Sequence, residues 1–172
     1  MNIKKLIYFP LIVGILAFLI QIADQLISRS VQPSPNSGFG WIAFQSWAVY
    51  FLAGGNIKGG IKAFLGYAVG IAASIVIMKL GGCFSSLKFF AFPLAVGLVA
   101  FSLIFLEKTT WLSLIPAMFI GAGAYFAFMS YVPGATFTNA AVTEMIYCLL
   151  GLIFGFATLT IKSIVEIRVG RS

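Results

Sequence analysis

The chain has 172 residues, of which 61% are hydrophobic and 9% are charged, and its formal net charge is +7. A soluble domain carries about 25% charged residues, so this chain has too little polar surface for a water-soluble globule, and we predict that residues 1–172 form a single domain embedded in a lipid bilayer. The length fits about six spans of roughly 20 residues, and the basic residues stand singly at the ends of apolar runs instead of forming the basic face that nucleic-acid binding requires.

The first half of the chain contains three predicted membrane spans. Residues 1–27 include two early lysines and then stay apolar for longer than the core of a signal peptide, so we expect a retained first helix. A polar loop at 28–38 leads to a short aromatic span at 39–53. A glycine-rich turn at 54–60 then precedes the third span, at 61–80.

The second half follows the same order. The fourth span is predicted at 87–106, and a short polar link at 107–110 joins it to the fifth span at 111–130. A loop at 131–137, built around a Pro-Gly pair, precedes the sixth span at 138–165. We therefore predict an all-α, polytopic membrane protein with six transmembrane helices.

The two halves share a sequence repeat. Residues 5–18, KLIYFPLIVGILAF, and residues 88–101, KFFAFPLAVGLVAF, are identical at eight of fourteen positions, including the proline pair Pro10 and Pro93. Self-similarity at a fixed period indicates a repeated structural unit. We therefore predict two copies of one unit, at residues 1–83 and 84–172.

The number of spans in each unit predicts how the units are oriented. Three is odd, so the second unit must enter the membrane from the opposite side. With the N-terminus in the cytoplasm, eight lysines and arginines fall on the cytoplasmic side and three on the outer side, in agreement with the positive charge of cytoplasmic loops. We therefore predict a three-plus-three inverted repeat with both termini in the cytoplasm, an architecture in which transporters bind solutes near the membrane midplane.

The end of the first helix carries a polar face, because four polar residues follow the spacing i, i+3, i+4 and i+7. These residues are Gln21, Asp24, Gln25 and Ser28. They form either a polar wall at the outer mouth of a solute pathway or a helix end that meets water and lipid headgroups. Pro10 and Pro93 join the candidate pathway, because a proline within a helix bends it or frees a carbonyl group.

Glu144, about six residues into the sixth predicted span, is the acid that points most directly to a function. An ionisable group in hydrocarbon costs about 2.5–3.5 kcal/mol on translocon scales and by default marks a pathway or a partner. Thr143 is adjacent and Asn139 lies about one turn earlier, so both join the candidate pathway. The alternatives are a later helix start, which leaves Glu144 at the interface, and a structural hydrogen bond.

Two polar residues of the first unit complete the candidate pathway. Gln45 interrupts the short second span, and Asn56 lies in the turn that follows it. Their side chains are suited to hydrogen-bonding a neutral solute, and equally suited to hydrogen bonds between helices.

Glycines at four-residue spacing predict close contacts between helices, either within the chain or between the subunits of a homo-oligomer. Gly66 and Gly70 form one such pair, Gly151 and Gly155 form the other, and Gly121 is expected to act in the same way. A homo-oligomer is expected because a single small bundle leaves such faces free.

The residues that are absent exclude several chemistries. The chain has no histidine, so it lacks the commonest metal ligand and the usual general base near neutral pH. It also has no P-loop signature and no Asn-Pro-Ala motif. We expect neither an enzyme nor a bound metal or cofactor.

Three segments carry a resemblance to a known family. FLAGGNIKGGIKA (51–63), SLIPAMFIGAGAYFA (113–127) and GLIFGFA (151–157) resemble the YcdZ-like family of small bacterial inner-membrane proteins, a domain of unknown function. The likeness covers most of residues 39–160. It implies a multi-pass protein of the bacterial cytoplasmic membrane and supplies no substrate or catalytic residue.

Taken together, these features predict a channel or transporter for a small, neutral or weakly charged solute. The alternative is a non-transporting scaffold or regulatory subunit that partner proteins recognise through its helix faces.

Overall fold

The computed structural model describes residues 3–31 and 38–170, and the regular structure within them is helical. Six α-helices follow in chain order: α1 Ile3–Val31, α2 Gly40–Leu52, α3 Ile57–Cys83, α4 Ala91–Ile104, α5 Ile115–Tyr131 and α6 Phe137–Gly170. Short 3-10 helices at Ser85–Phe90 and Phe105–Lys108 flank α4. The prediction of an all-α membrane protein is confirmed at this level.

Four stretches of the described chain are long and apolar enough to cross a membrane: Ile7–Ile27, Ile57–Cys83, Ser85–Lys108 and Phe137–Ile167. The other two helices are shorter than the hydrocarbon core of a bilayer, which is about 30 Å thick. The 13 residues of α2 rise about 20 Å and the 17 residues of α5 about 26 Å. Six complete spans therefore stay a prediction where α2 and α5 are concerned.

The third helix begins earlier than the sequence suggests. Its first turn includes most of the predicted turn at 54–60, because Asn56 caps the helix: Asn56 Oδ1 accepts a hydrogen bond from the Gly59 backbone N–H at 2.9 Å. The lack of a side chain at Gly59 also lets this turn lie directly against the Ala53 carbonyl group. The glycine-rich segment predicted to form a turn instead allows the first turn of α3 to pack closely against the end of α2.

Other boundaries shift by a few residues. The fifth helix begins at Ile115 instead of 111, with Pro116 in its first turn, where a helix needs no backbone N–H donor. The first helix continues to Val31, which includes the first residues of the predicted loop at 28–38. Residues 32–37 of that loop lie outside the described residues. The sixth helix begins at Phe137, one residue before the predicted start.

The two most extensive helix–helix interfaces each join one short and one long helix. The α5 helix packs along α3, and α2 packs along α6, while α3 and α6 also contact each other. The α4 helix lies against α3 and α1 lies against α6. Most side chains of α1 and α4 within the described part are exposed, so these two helices form the outside of the bundle.

Glycine brings α3 and α5 together in a parallel arrangement. A Cβ atom at Gly66 would lie 2.7 Å from the Ala117 Cβ atom, and one at Gly121 would lie 2.9 Å from the Tyr67 Cα atom. Further along both helices, Gly70 faces the Met118 carbonyl group. Neither helix can approach the other this closely with a larger residue at these positions.

The same device joins α2 and α6. Gly151 faces the Ala43 carbonyl group, and a Cβ atom at Gly155 would lie 2.6 Å from the Tyr50 Cβ atom. The predicted packing glycines therefore make their contacts within one chain. Their faces are already occupied, so an interface between subunits needs a different surface.

Candidate functional site

The site is centred on Glu144, which α6 carries seven residues after its first residue, about 10 Å along the helix axis. The residue is 0% exposed. Neither Oε1 nor Oε2 of its carboxyl group has a hydrogen-bond partner. The described part of the chain also contains no ion pair to this carboxyl group, since its salt bridge joins Lys162 and Glu166. A helix start that leaves Glu144 at the interface is therefore not what the chain adopts.

Three helices surround this carboxyl group. Tyr67 comes from α3, Tyr125 from α5, and Cys148 lies one turn further along α6; all three interact electrostatically with Glu144. All three are fully buried. Glu144 therefore lies where α3, α5 and α6 meet, enclosed by protein and not by lipid.

The two tyrosines differ in an informative way. The Tyr125 hydroxyl donates a hydrogen bond to the carbonyl oxygen of Phe137 at 3.0 Å and so ties α5 to the start of α6. The Tyr67 hydroxyl is buried and has no hydrogen-bond partner. The site thus contains a carboxyl group and a phenol that are both free to bind something else.

Buried polar groups without partners are rare in folded proteins, and each calls for an explanation such as a bound water, an ion or a functional role. A buried group left without its hydrogen bond costs about 1–3 kcal/mol. Two such groups at one point favour a binding function over a structural one. Among the residues that the structure describes, no three histidine, cysteine, aspartate or glutamate side chains form a group that could hold a metal ion.

Asp24 shows what a structural carboxylate looks like in the same protein. Its Oδ1 atom accepts hydrogen bonds from the Phe39 backbone N–H at 3.0 Å and from the Tyr147 hydroxyl. It therefore caps the start of α2 and joins α1, α2 and α6. A carboxylate at a helix N-terminus is stabilised by the exposed N–H groups and by the helix dipole. Asp24 is therefore a buried cap, and the two roles predicted for the polar face stay predictions.

Two other candidates also cap helices. Asn56 caps α3, and its Nδ2 atom donates to the Gly54 carbonyl oxygen at 3.2 Å. Asn139 Oδ1 accepts from the Thr136 backbone N–H at 2.8 Å, and Asn139 Nδ2 donates to the Gly134 carbonyl oxygen at 2.9 Å. These bonds fix the turns before α3 and α6. The structure does not bring Asn56 or Asn139 to the site.

The remaining candidates divide between the interior and the outer surface. Thr143 is fully buried beside Glu144. Gln21, Gln45, Pro10 and Pro93 have exposed side chains on the outside of the bundle, and the side chain of Ser28 is outside the described part. Pro93 also lies in the first turn of α4, where the helix loses no hydrogen bond. The structure therefore places Glu144 apart from the other predicted pathway residues whose side chains it describes; Thr143, the preceding residue of α6, lies on a different face of that helix.

Sequence reasoning missed Tyr67 and Tyr125. Tyrosine is enriched at membrane interfaces, so a tyrosine in a membrane protein does not by itself indicate a site. Tyr67, however, lies ten residues after the start of α3 and is completely buried. A tyrosine deep inside a span, away from both interfaces, was the signal that could have identified it.

Comparison with known proteins gives one match. The family model described as "Protein of unknown function (DUF1097)" matches residues 10–161. No curated protein and no solved structure matches this chain.

Proposed function

The chain belongs to this family of proteins of unknown function, and we propose that it is a small transport protein, a channel or transporter for a small solute in the cytoplasmic membrane of a bacterium. Glu144 is the residue that binds the solute, or a proton that moves with it, inside the protein. We propose a role that is not enzymatic: the chain contains no histidine, the side chain that most often acts as a general base.

The observation that carries this proposal is the contrast between the two buried acids. Asp24 is held by a backbone N–H group and by the Tyr147 hydroxyl, whereas neither oxygen of Glu144 has a partner, and the Tyr67 hydroxyl, with which Glu144 interacts electrostatically, has none either. A carboxyl group with a structural role would be bonded as Asp24 is. An acid maintained in the interior without bonds fits a group that binds a guest for part of a cycle.

The state described here is closed around the site. Glu144 and Thr143 are both 0% exposed, and the apolar groove between α3 and α6, lined by Phe64 and Leu149, does not include Glu144. A solute therefore reaches Glu144 only after the helices move. Rearrangement of two repeats around a fixed site is the usual solution in small transporters.

The packing supports the inverted repeat at residues 1–83 and 84–172. In both units the second helix packs in parallel against the third helix of the other unit, and the first helix lies on the outside of that same third helix. An in-plane twofold axis that exchanges the units also exchanges these contacts. We propose that this axis passes close to the contact between α3 and α6.

Contacts at the helix ends support the proposed orientation. Lys62 Nζ donates to Ser113 Oγ at 3.0 Å, which joins the start of α3 to the segment before α5. Lys162 Nζ lies 4.8 Å from the centre of the Phe9 ring, which joins the end of α6 to the first turns of α1. These ends lie on the side that carries most of the basic residues, so we place that side, with both termini, in the cytoplasm.

The proposal is tested with purified protein in proteoliposomes and a panel of small solutes. We expect uptake of at least one solute by the wild-type protein, and a loss of tenfold or more in the Glu144→Ala variant with folding preserved. Glu166→Gln is the matched control, because this acid is exposed and paired with Lys162 on the surface. If no solute in a broad panel crosses, or if Glu144→Ala transports normally, the proposal is wrong.

The alternative, a non-transporting scaffold, predicts that substitutions at the packing glycines matter and that substitutions at Glu144 do not. It expects Glu144→Gln to be silent and Gly66→Leu or Gly151→Leu to break an assembly. Because both glycines pack within the chain, these substitutions should instead unfold the protein itself. The observation that favours transport over a scaffold is the buried Glu144 carboxyl group, whose oxygens have no hydrogen-bond partner.

A further inference from the structure

Polar side chains on the outer surface of the bundle are a feature that the transport site leaves unexplained. Two of them satisfy their own hydrogen-bonding needs. Ser102 Oγ donates to the Leu98 carbonyl oxygen at 2.9 Å, and Thr160 Oγ1 donates to the Phe156 carbonyl oxygen at 2.9 Å. Hydroxyl groups bonded back to their own helix need no partner outside the protein.

Gln45 is different. Its side chain is exposed on α2, and no hydrogen bond to it occurs among the residues that the structure describes. It lies five residues after Gly40 and seven before Leu52, which places it about 8 Å and 11 Å from the two ends of the helix. The amide is therefore near the middle of the helix and not at an end where headgroups could bind it.

An amide in this position requires a partner from outside the chain. With α2 as one of the six proposed spans, lipid tails surround this amide and offer no hydrogen bonds, and an unsatisfied amide in an apolar medium costs several kcal/mol. The α2 helix has no charged residue, so the surface offers a partner only apolar area and this one amide. A partner that fits must bring an uncharged group that both donates and accepts.

We propose that α2 forms the interface of a homodimer in which the two Gln45 side chains bond to each other. Copies in the orientation proposed above face the same way, so a twofold axis normal to the bilayer places equal residues at equal depth. Such an interface is self-complementary, and a side-chain amide, which both donates and accepts, pairs with its own copy. A second copy is thus the occupant that the chemistry of this face specifies.

The neighbours of Gln45 suit such an interface. Trp41, Phe44, Ala48 and Leu52 have exposed side chains at helical spacing on the same side of α2. Ala48 follows Gln45 by one turn, and a small residue there lets two helices approach closely enough for the amides to bond. The glycine faces cannot serve this purpose, because they pack within the chain.

The first test measures dimerisation in liposomes by energy transfer between labelled copies at increasing lipid dilution. We expect a reversible dimer, and a roughly tenfold weaker dimer for Gln45→Leu. Gln45→Asn, which keeps the amide, should retain part of the affinity. Ser102→Ala is the matched control, because that exposed hydroxyl is already bonded, and it should leave the affinity unchanged.

The second test is site-specific cross-linking in a variant that lacks the exposed Cys83. Ala48→Cys should form a disulfide between two copies in membranes, whereas Val142→Cys, on the exposed side of α6, should not. A wild-type protein that stays monomeric, a Gln45→Leu variant with unchanged affinity, or Ala48→Cys linked to a different protein would each overturn the proposal. The proposal does not depend on transport, since its tests measure association alone.

Discussion

Replacing Glu144 with methionine should make the protein more stable while it abolishes transport. The carboxyl group is completely buried, and both of its oxygens lack partners. An unsatisfied buried group costs about 1–3 kcal/mol, and that penalty disappears with an apolar side chain. Methionine is unbranched and of similar length, so the change should leave no cavity and little strain.

The expected gain in the free energy of unfolding is therefore about 1–3 kcal/mol. The cost of the methionine itself, under about 1.5 kcal/mol for a volume-conserving exchange, is subtracted from this gain. For a chain of this size each kcal/mol corresponds to about 2–4 °C in Tm. Leu152→Met measures the cost of introducing methionine at a buried position on the same helix. The Tm of both variants, followed by tryptophan fluorescence in detergent, gives the difference.

One result would refute this reasoning. If Glu144→Met lowers Tm by several degrees while Leu152→Met does not, then Glu144 has a structural bond, and the argument that it is kept for function fails. Stabilisation together with lost uptake is the pattern expected for a functional residue that the fold tolerates at a cost.

Three further predictions concern stability measured in the same way. Tyr125→Phe should lower the free energy of unfolding by about 0.5–1.5 kcal/mol, because it removes the hydrogen bond to Phe137. Tyr67→Phe should be neutral or stabilising, because the Tyr67 hydroxyl has no partner. Equal losses in the two variants would contradict the description of the site. Gly155→Ala should cost about 1–3 kcal/mol by overpacking, since the new Cβ atom would lie 2.6 Å from the Tyr50 Cβ atom, and Gly14→Ala, with no atom within 4 Å, should not destabilise. Asp24→Asn should lower the free energy of unfolding by about 1–3 kcal/mol, because it weakens the hydrogen bonds that Asp24 accepts. An unchanged Tm would show that this cap does not stabilise the protein.

The sequence was sufficient to predict the helices and their order. Apolar length and periodicity depend on neighbouring residues along the chain, so α2 at Gly40–Leu52 and α6 at Phe137–Gly170 match the predicted segments closely. The prediction was wrong at the start of α3, where glycine has two meanings. A glycine-rich segment is typical of a turn, but here Asn56 supplies a cap and Gly59 a close contact.

The candidate site was predictable only in part. The burial of Glu144 followed from its position within an apolar span, but its neighbours could not be inferred, because Tyr67 and Tyr125 come from helices distant in sequence. The spacing of the polar face that contains Asp24 is readable in the sequence. The hydrogen bond that Asp24 makes is not, because the start of α2 is brought to it by the tertiary fold.

The central claim, that Glu144 lies on a route through the membrane, is tested most directly by its access to reagents. In a variant with Cys83 and Cys148 replaced, Glu144→Cys is exposed to a thiol reagent that does not cross the bilayer, added to one side of the membrane at a time. We predict slow labelling from each side, slower when a transported solute is present. A thiol at this position that stays unlabelled from both sides, in a folded protein, would contradict the claim.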